Sequence, residues 1–295
     1  MTITEMHQFF KVGVDKSESF SYPSFQSEEI DYFLNKAQER FIKQRYGINN
    51  LKGQGFEQTQ KRTDDIREVI MYDNSTSLGL QLNGSNTDDN KPYAKYYTLP
   101  NTAPSSVNDP GNIYWFSIQE EAEVVYTDAT SSSYTINSAV IPSGNYIVTE
   151  TIFYDGTSSY LYPGDSFVYK GGSFSSKLQG SFKSAKSKRV GVKPIQHDDY
   201  NKIVNDPFNK PNHDQAVRLM LGDKVEIITG ADFDVTRFYM RYVRKPLAVD
   251  FANTVDCELA NHTHEEIVDL AVSIALEDIE SGRYQTHLNE LNKNE

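Results

Sequence analysis

Several clusters in this chain carry side chains whose types and spacing could do chemistry. His262, His264, Glu265 and Glu266 fall within five consecutive positions. A zinc site on a helix needs ligands at i and i+4 on one face, and this histidine pair instead straddles a helix start. A polar cap is therefore expected there. His197, Asp198 and Asp199 offer an acid–base pair, but adjacent carboxylates ahead of a short helix more often serve as charges at its N-terminus. Asp64 and Asp65 lie between Arg62 and Arg67, where solvent-facing ion pairs along a helix are expected. Asp109, Glu120, Glu121 and Asp155 supply carboxylates to a β-rich region. Nothing in their spacing singles out the pair that glycoside cleavage needs. Cys257 is the single cysteine, which excludes an internal disulfide or a Cys-rich zinc site and suggests a buried small hydrophobe. GxSxG, P-loop, strand-following GxGxxG and HExxH patterns do not occur. No catalytic residue, metal ligand or cofactor is expected.

The elements that would position such groups are legible in part. Thr263–Ser281 reads as a helix, with Thr263 and Glu266 spaced as a capping box and Gly282 as its stop. Its polar residues (Glu266, Asp269, Ser273, Glu277, Glu280) form one narrow stripe, and nearly everything between them from Ile267 onward is apolar. Such a helix needs cover over most of its circumference, from the domain core or from a second subunit. Ile267, Leu270 and Ile274 are its candidate subunit contacts. Ser27–Tyr46 reads as a second strong helix, capped by Ser27, acidic in its first turn and basic in its last. Ile30, Phe33, Leu34, Ala37 and Phe41 form its core stripe. Shorter helices are expected over Thr4–Phe10, Phe56–Ile70 and 198–204, with Phe9, Phe10 and Val12 buried.

Between about Met71 and Ile195 the chain turns rich in Ser, Thr, Asn, Gly and Tyr. Runs at Ile113–Ile118, Glu123–Thr127, Ser133–Ile141, Tyr146–Tyr154 and Ser166–Tyr169 read as strands separated by turn dipeptides. Residues 77–90 and 105–112 read as exposed loops. Lys224–Thr229 and Phe233–Arg244 read as strands of a hairpin. The resulting expectation is an α+β chain: a helical core built from both ends, 1–72 and 196–295, with a β-rich insertion over 73–195.

Composition bounds the function. Hydrophobic residues make up 38% of the 295 residues and mean hydropathy is −0.59. No signal peptide and no bilayer-spanning stretch is expected, so the chain reads as soluble and made in a cytoplasm. The 19 Tyr and 16 Phe beside a single Trp suit contact surfaces, since Tyr joins apolar area to a hydrogen-bonding tip. A net charge of −12 argues against a general nucleic-acid binder. One stretch inverts that charge. From Ser166 to His197 there is no acidic residue, while Lys170, Lys177, Lys183, Lys186, Lys188, Arg189 and Lys193 all fall there. It reads as a solvated hairpin, as a surface docking on an acidic neighbouring subunit, or as a contact for nucleic-acid phosphates. Under the docking reading, Lys183, Lys186, Lys188 and Arg189 are further interface candidates, and replacing the last three by Glu impairs assembly.

The segments TEMHQFFKVGVDKS, YPSFQSEEIDYFLNKAQERFIKQRY and FEQTQKRTDDIREVI resemble virion structural proteins of crAss-like bacteriophages. So do VKPIQHDDYNKIVNDPFNKP, VEIITGADFDVTRFYMRYVRKP and CELANHTHEEIVDLAVSIALEDIESGRYQ. The likeness covers about residues 1–72 and 190–290, and not the middle. It implies an adaptor-like connector or tail-ring protein of the phage neck or tail, synthesised in the host bacterial cytoplasm. It further implies a ring, twelvefold by similarity, that contacts the portal and other tail rings and passes genomic DNA without holding it. It brings no catalytic or metal residue. The competing reading is a virion-surface receptor-binding or fibre-attachment protein with the Tyr-rich middle as its recognition domain; a carbohydrate-active enzyme is a third.

Overall fold

The computed structural model describes residues 1–15, 25–46, 60–72, 94–106, 108–109, 111–135, 143–150, 152–154, 159–161, 163–169, 181–230 and 232–278. The first elements are α1 (Ile3–Asp15), α2 (Ser27–Tyr46), α3 (Gln60–Ile66), β1 (Ile70–Tyr72), β2 (Ala94–Thr98), β3 (Asn101–Thr102) and β4 (Asn112–Tyr126). Short strands follow: β5 (Ser133–Thr135), β6 (Gly144–Glu150), β7 (Ile152–Tyr154), β8 (Ser159–Leu161) and β9 (Ser166–Tyr169). The chain then forms β10 (Ser181–Pro194), α4 (Tyr200–Asn205), β11 (Ala216–Leu221), β12 (Lys224–Ile228), β13 (Phe233–Arg244) and α5 (His264–Asp278). Among the described residues no helix is long and apolar enough to cross a membrane. The class is α+β, as expected: helices from both ends of the chain pack together, and a large mixed sheet lies between them in sequence.

Two compact units divide the chain. Unit 1 takes Met1–Met71, Asn101–Trp115 and Val243–Glu295; unit 2 takes Tyr72–Pro100 and Phe116–Tyr242.

Unit 1 is helical. The expected stripe of α2 is buried, joined by Gln38 and Ile42. Its cap differs by one residue. Glu29 accepts from the Gln26 backbone N–H at 2.8 Å, which makes Gln26 the capping position instead of Ser27. The T-x-x-E box closes at the start of α1, where the Thr2 N–H donates to Glu5 and the Glu5 N–H to the Thr2 hydroxyl. At α5 it does not close. The Thr263 hydroxyl donates back to the Ala260 carbonyl at 2.8 Å, and Glu266 pairs with Arg45. The cover that α5 requires comes from α1 and α2. Ile267 and Ile274 are 1% and 3% exposed in that packing, and Leu270 is half-buried. Gly13 permits the close approach of α1, since a Cβ there would lie 2.8 Å from a Val272 methyl. Phe10 is buried as expected, but Phe9 and Val12 are 53% and 67% exposed, because the helix turns them away from the buried stripe of Ile3, Met6, His7, Phe10 and Val14. Residues 56–59 and 279–281 of the expected helices lie outside the described residues.

Unit 2 is built on a sheet in which β13, β4, β10, β11, β12 and β2 are neighbours in that order. The two runs expected at 113–118 and 123–127 form one long strand, β4. The expected hairpin of β12 and β13 is not made. β12 runs antiparallel to both β11 and β2, and β13 lies beside β4. β10 threads four ladders. It runs antiparallel to β5 and β6 at its start and antiparallel to β4 from Lys186 to Gly191, then parallel to β11 from Val192 to Pro194. The parallel step requires a crossover, and α4 supplies it, with Tyr200 and Val204 packing over Val217, Leu219 and Ile228. At the other end, Tyr146, Val148 and Phe182 form a small core closed by Tyr134, Phe167 and Tyr169.

Candidate assembly surfaces

The residues singled out for chemistry hold elements together. Asp65, expected in a solvent-facing pair, is 1% exposed. It accepts from Arg45 Nε at 3.0 Å and lies 2.8 Å from His262 Nε2, while Arg45 also pairs with Glu266. One carboxylate thus ties α3, α2 and the entry to α5. His264 is buried, its Nε2 2.8 Å from the Leu259 carbonyl and its Nδ1 3.1 Å from the amine of Met1. Burial holds its imidazole below the ordinary histidine range, outweighing the pull of Asp256 the other way. His197 Nε2 contacts the Met220 carbonyl at 2.8 Å, and Asp199 pairs with Lys202. Asp109 accepts from Ser105 and from the Gly111 N–H; these bonds hold its carboxyl at about 2. Glu120 receives a forked pair of bonds from Arg218. Asp155 lies outside the described residues. Cys257 is buried as expected, which pushes its thiol up to about 12.

Residues 181–194 of the basic stretch form the strand β10, and acids of the same chain answer Lys186, Lys188 and Arg189. Lys186 donates to Asp128, whose carboxyl that bond pulls well down. Lys188 pairs with Asp214 and sits 4.7 Å from the Tyr126 ring centroid. The Arg189 guanidinium lies 4.1 Å from the Tyr239 ring centroid and 3.9 Å from Glu121. The Arg189–Tyr239 contact raises the pKa of the guanidinium. Lys183 pairs in register with Ser133 and Ile147, half-buried. Lys170 and Lys177 lie outside the described residues.

Sequence reasoning passed over the residues that do project. Phe208 is 90% exposed on the turn after α4. The turn is fixed: the Asp206 carboxylate accepts from the Phe208 N–H at 2.9 Å and from the Asn209 amide at 2.7 Å, and the Lys210 N–H donates to the Asp206 carbonyl. The signal is present in DPFNKP, a capping Asp and two prolines around an aromatic residue. On unit 1, Tyr32 of α2 is 58% exposed. It borders a depression of about 400 Å³ with Asn35, Val249 and Ala252, rimmed by Glu28, Asp31 and Asp250.

Fold and surfaces together define an α+β chain whose described charged groups bind strand to strand and helix to helix. Residues 145–286 match the model of the family described as phage tail ring protein 3/4, of the crAss-like phages, and over that span the chain is similar to this family. The match takes in β6, β9 and β10, so the likeness reaches into the region where none was expected. Two curated proteins of Bacteroides phage crAss001 are similar. Ring protein 4/5 is 27% identical over 103 residues, covering 28% of this chain, and ring protein 3 is 27% identical over 100 residues, covering 30% of it. In each case the match spans 43% of the relative's length.

Proposed function

We propose that the chain is a non-enzymatic structural protein that closes into a ring in the phage neck or tail, joins the portal to the tail and extends the channel through which the genome passes. The family match over residues 145–286 carries this reading. A head-to-tail interface that closes on itself is the assembly mode that a ring demands. Twelve copies are the expected number, from the resemblance to portal-docking adaptors. The net charge of −12 suits a lumen that repels phosphates and leaves the duplex free to move. We assign Lys186, Lys188 and Arg189 to cohesion of the unit 2 sheet, since each meets an acid of its own chain. Ile267 and Ile274 act as scaffold, and Leu270 is the residue of that helix face available to a neighbour.

Light scattering after size exclusion tests the reading, on the protein alone and mixed with the portal and the other ring proteins of its phage. A species of twelve times the 33.5 kDa chain is expected in at least one mixture. A monomer or trimer that ignores every one of those partners overturns it.

A further inference from the structure

Resting on the ring reading, we propose that Phe208 of one copy enters the Tyr32–Val249–Ala252 depression of the next copy and anchors the subunit joint. A phenyl ring at 90% exposure is a large apolar group left in water. It is also rigidly presented. Asp206 fixes the backbone on both sides of it, and Pro207 and Pro211 limit the flanking dihedrals, so little freedom remains to be lost on docking. Aromatic residues held in this way are the usual energetic centres of protein interfaces.

The second copy is the occupant that charge favours. Lys210 follows two residues after Phe208 and makes no ion pair among the described residues. The depression is lined by Tyr32, Ala252 and Val249, the last only 3% exposed, together with Glu28, Asp31 and Asp250, of which Asp31 already meets His7 Nε2 at 2.8 Å. Asp250 is kept anionic by bonds from Asn253, and Glu28 makes no ion pair among the described residues. Lys36, over the Tyr32 ring at 5.6 Å, is the nearby cation that an entering Lys210 must avoid. Knob and depression are different surfaces of one chain. Their joining therefore propagates from copy to copy and closes only when the rotation allows, as a ring requires.

Disulfide trapping tests this. Cys257 is 6% exposed with its thiol near 12, so the native cysteine gives little background. Phe208→Cys and Ala252→Cys chains, each alone, are expected to give no linked product under oxidation. Mixed, they are expected to give a dimer, and the double variant a ladder. Phe208→Ala should leave the melting temperature unchanged and weaken association about 30- to 100-fold, the value of one buried phenyl ring. Assembled rings with no 208–252 linkage overturn this inference and leave the ring reading standing. So does linkage of the Phe208→Cys chain to a different tail protein through its new thiol. A wild-type chain that never assembles, alone or with the other tail proteins, removes both.

Discussion

Replacing Asp65 by Asn gives the sharpest test of how unit 1 is held. Asp65 is 1% exposed and meets two donors on different elements, Arg45 Nε at 3.0 Å and His262 Nε2 at 2.8 Å. Removing one partner of a buried ion pair costs about 3–5 kcal/mol, because the other charge stays buried. Asn keeps the shape and one acceptor, and Arg45 keeps Glu266, so the cost should fall to about 2–4 kcal/mol. In calorimetry that is a fall on the order of 10 °C in the unit 1 transition. Because the pair is buried, the loss should persist in about 0.5 M salt, where exposed pairs are screened. Asp64→Asn is the control: the same helix and charge change, but a half-exposed side chain without an ion pair among the described residues. It should stay within about 0.5 kcal/mol of wild type. If the two variants melt together, Asp65 is not a structural tie and the reasoning fails.

Other substitutions probe other contacts. Gly13→Ala gains about 1 kcal/mol of helix propensity, but its Cβ would meet a buried Val272 methyl at 2.8 Å, and a β-branched residue on a helix cannot swing aside. A net loss of about 1 kcal/mol in urea denaturation is expected, reversed in the Gly13→Ala/Val272→Ala pair. His264 is neutral in the fold because burial lowers its pKa. Stability should therefore be full above about pH 6.5 and decline as acidification charges the unfolded histidine. In His264→Gln that part of the pH slope should vanish. Lys188→Glu puts a carboxylate beside Asp214 and should cost under about 1 kcal/mol, whereas Lys188→Glu with Asp214→Lys restores the pair. The swapped chain should assemble as wild type in light scattering; failure at unchanged melting temperature would reassign the basic strand to an interface.

Helices are legible where one face is apolar. Ile30, Phe33, Leu34, Ala37 and Phe41 announce α2 and are all buried. The role of Asp65 is not legible, because its partners come from α2 and from the entry to α5, 20 and 197 residues away in sequence. β10 reads as a loose basic hairpin because it lacks apolar alternation. It is a strand through cross-strand ion pairs and rings from β4 and β13, which no local window contains. Pairing is equally hidden: β12 and β13 are close in sequence, yet β12 takes β11 and β2. Tyr-richness misleads in part. Tyr97, Tyr146, Tyr239 and Tyr242 are buried, and Tyr97 donates its hydroxyl to the Val235 carbonyl at 3.0 Å inside unit 2. The projecting Phe208 is flagged in sequence by the DPFNKP turn, but its 90% exposure is visible only in the structure.

The contact of Gly13 with Val272 sets a clock on biosynthesis. The apolar faces of α1 and α2 leave the ribosome early, while the helix that covers them is among the last described segments to be translated. At bacterial elongation rates the wait is roughly 15 to 50 s. Throughout it the strands from β2 to β12 are already available to pair with one another. The sheet unit can therefore mature on the nascent chain while the helical unit remains open, exposing Phe10, Phe33 and Phe41 to chaperones or to neighbouring chains on the same polysome. Tyr32 and Val249, which border the depression, gain their final surroundings only when this unit closes.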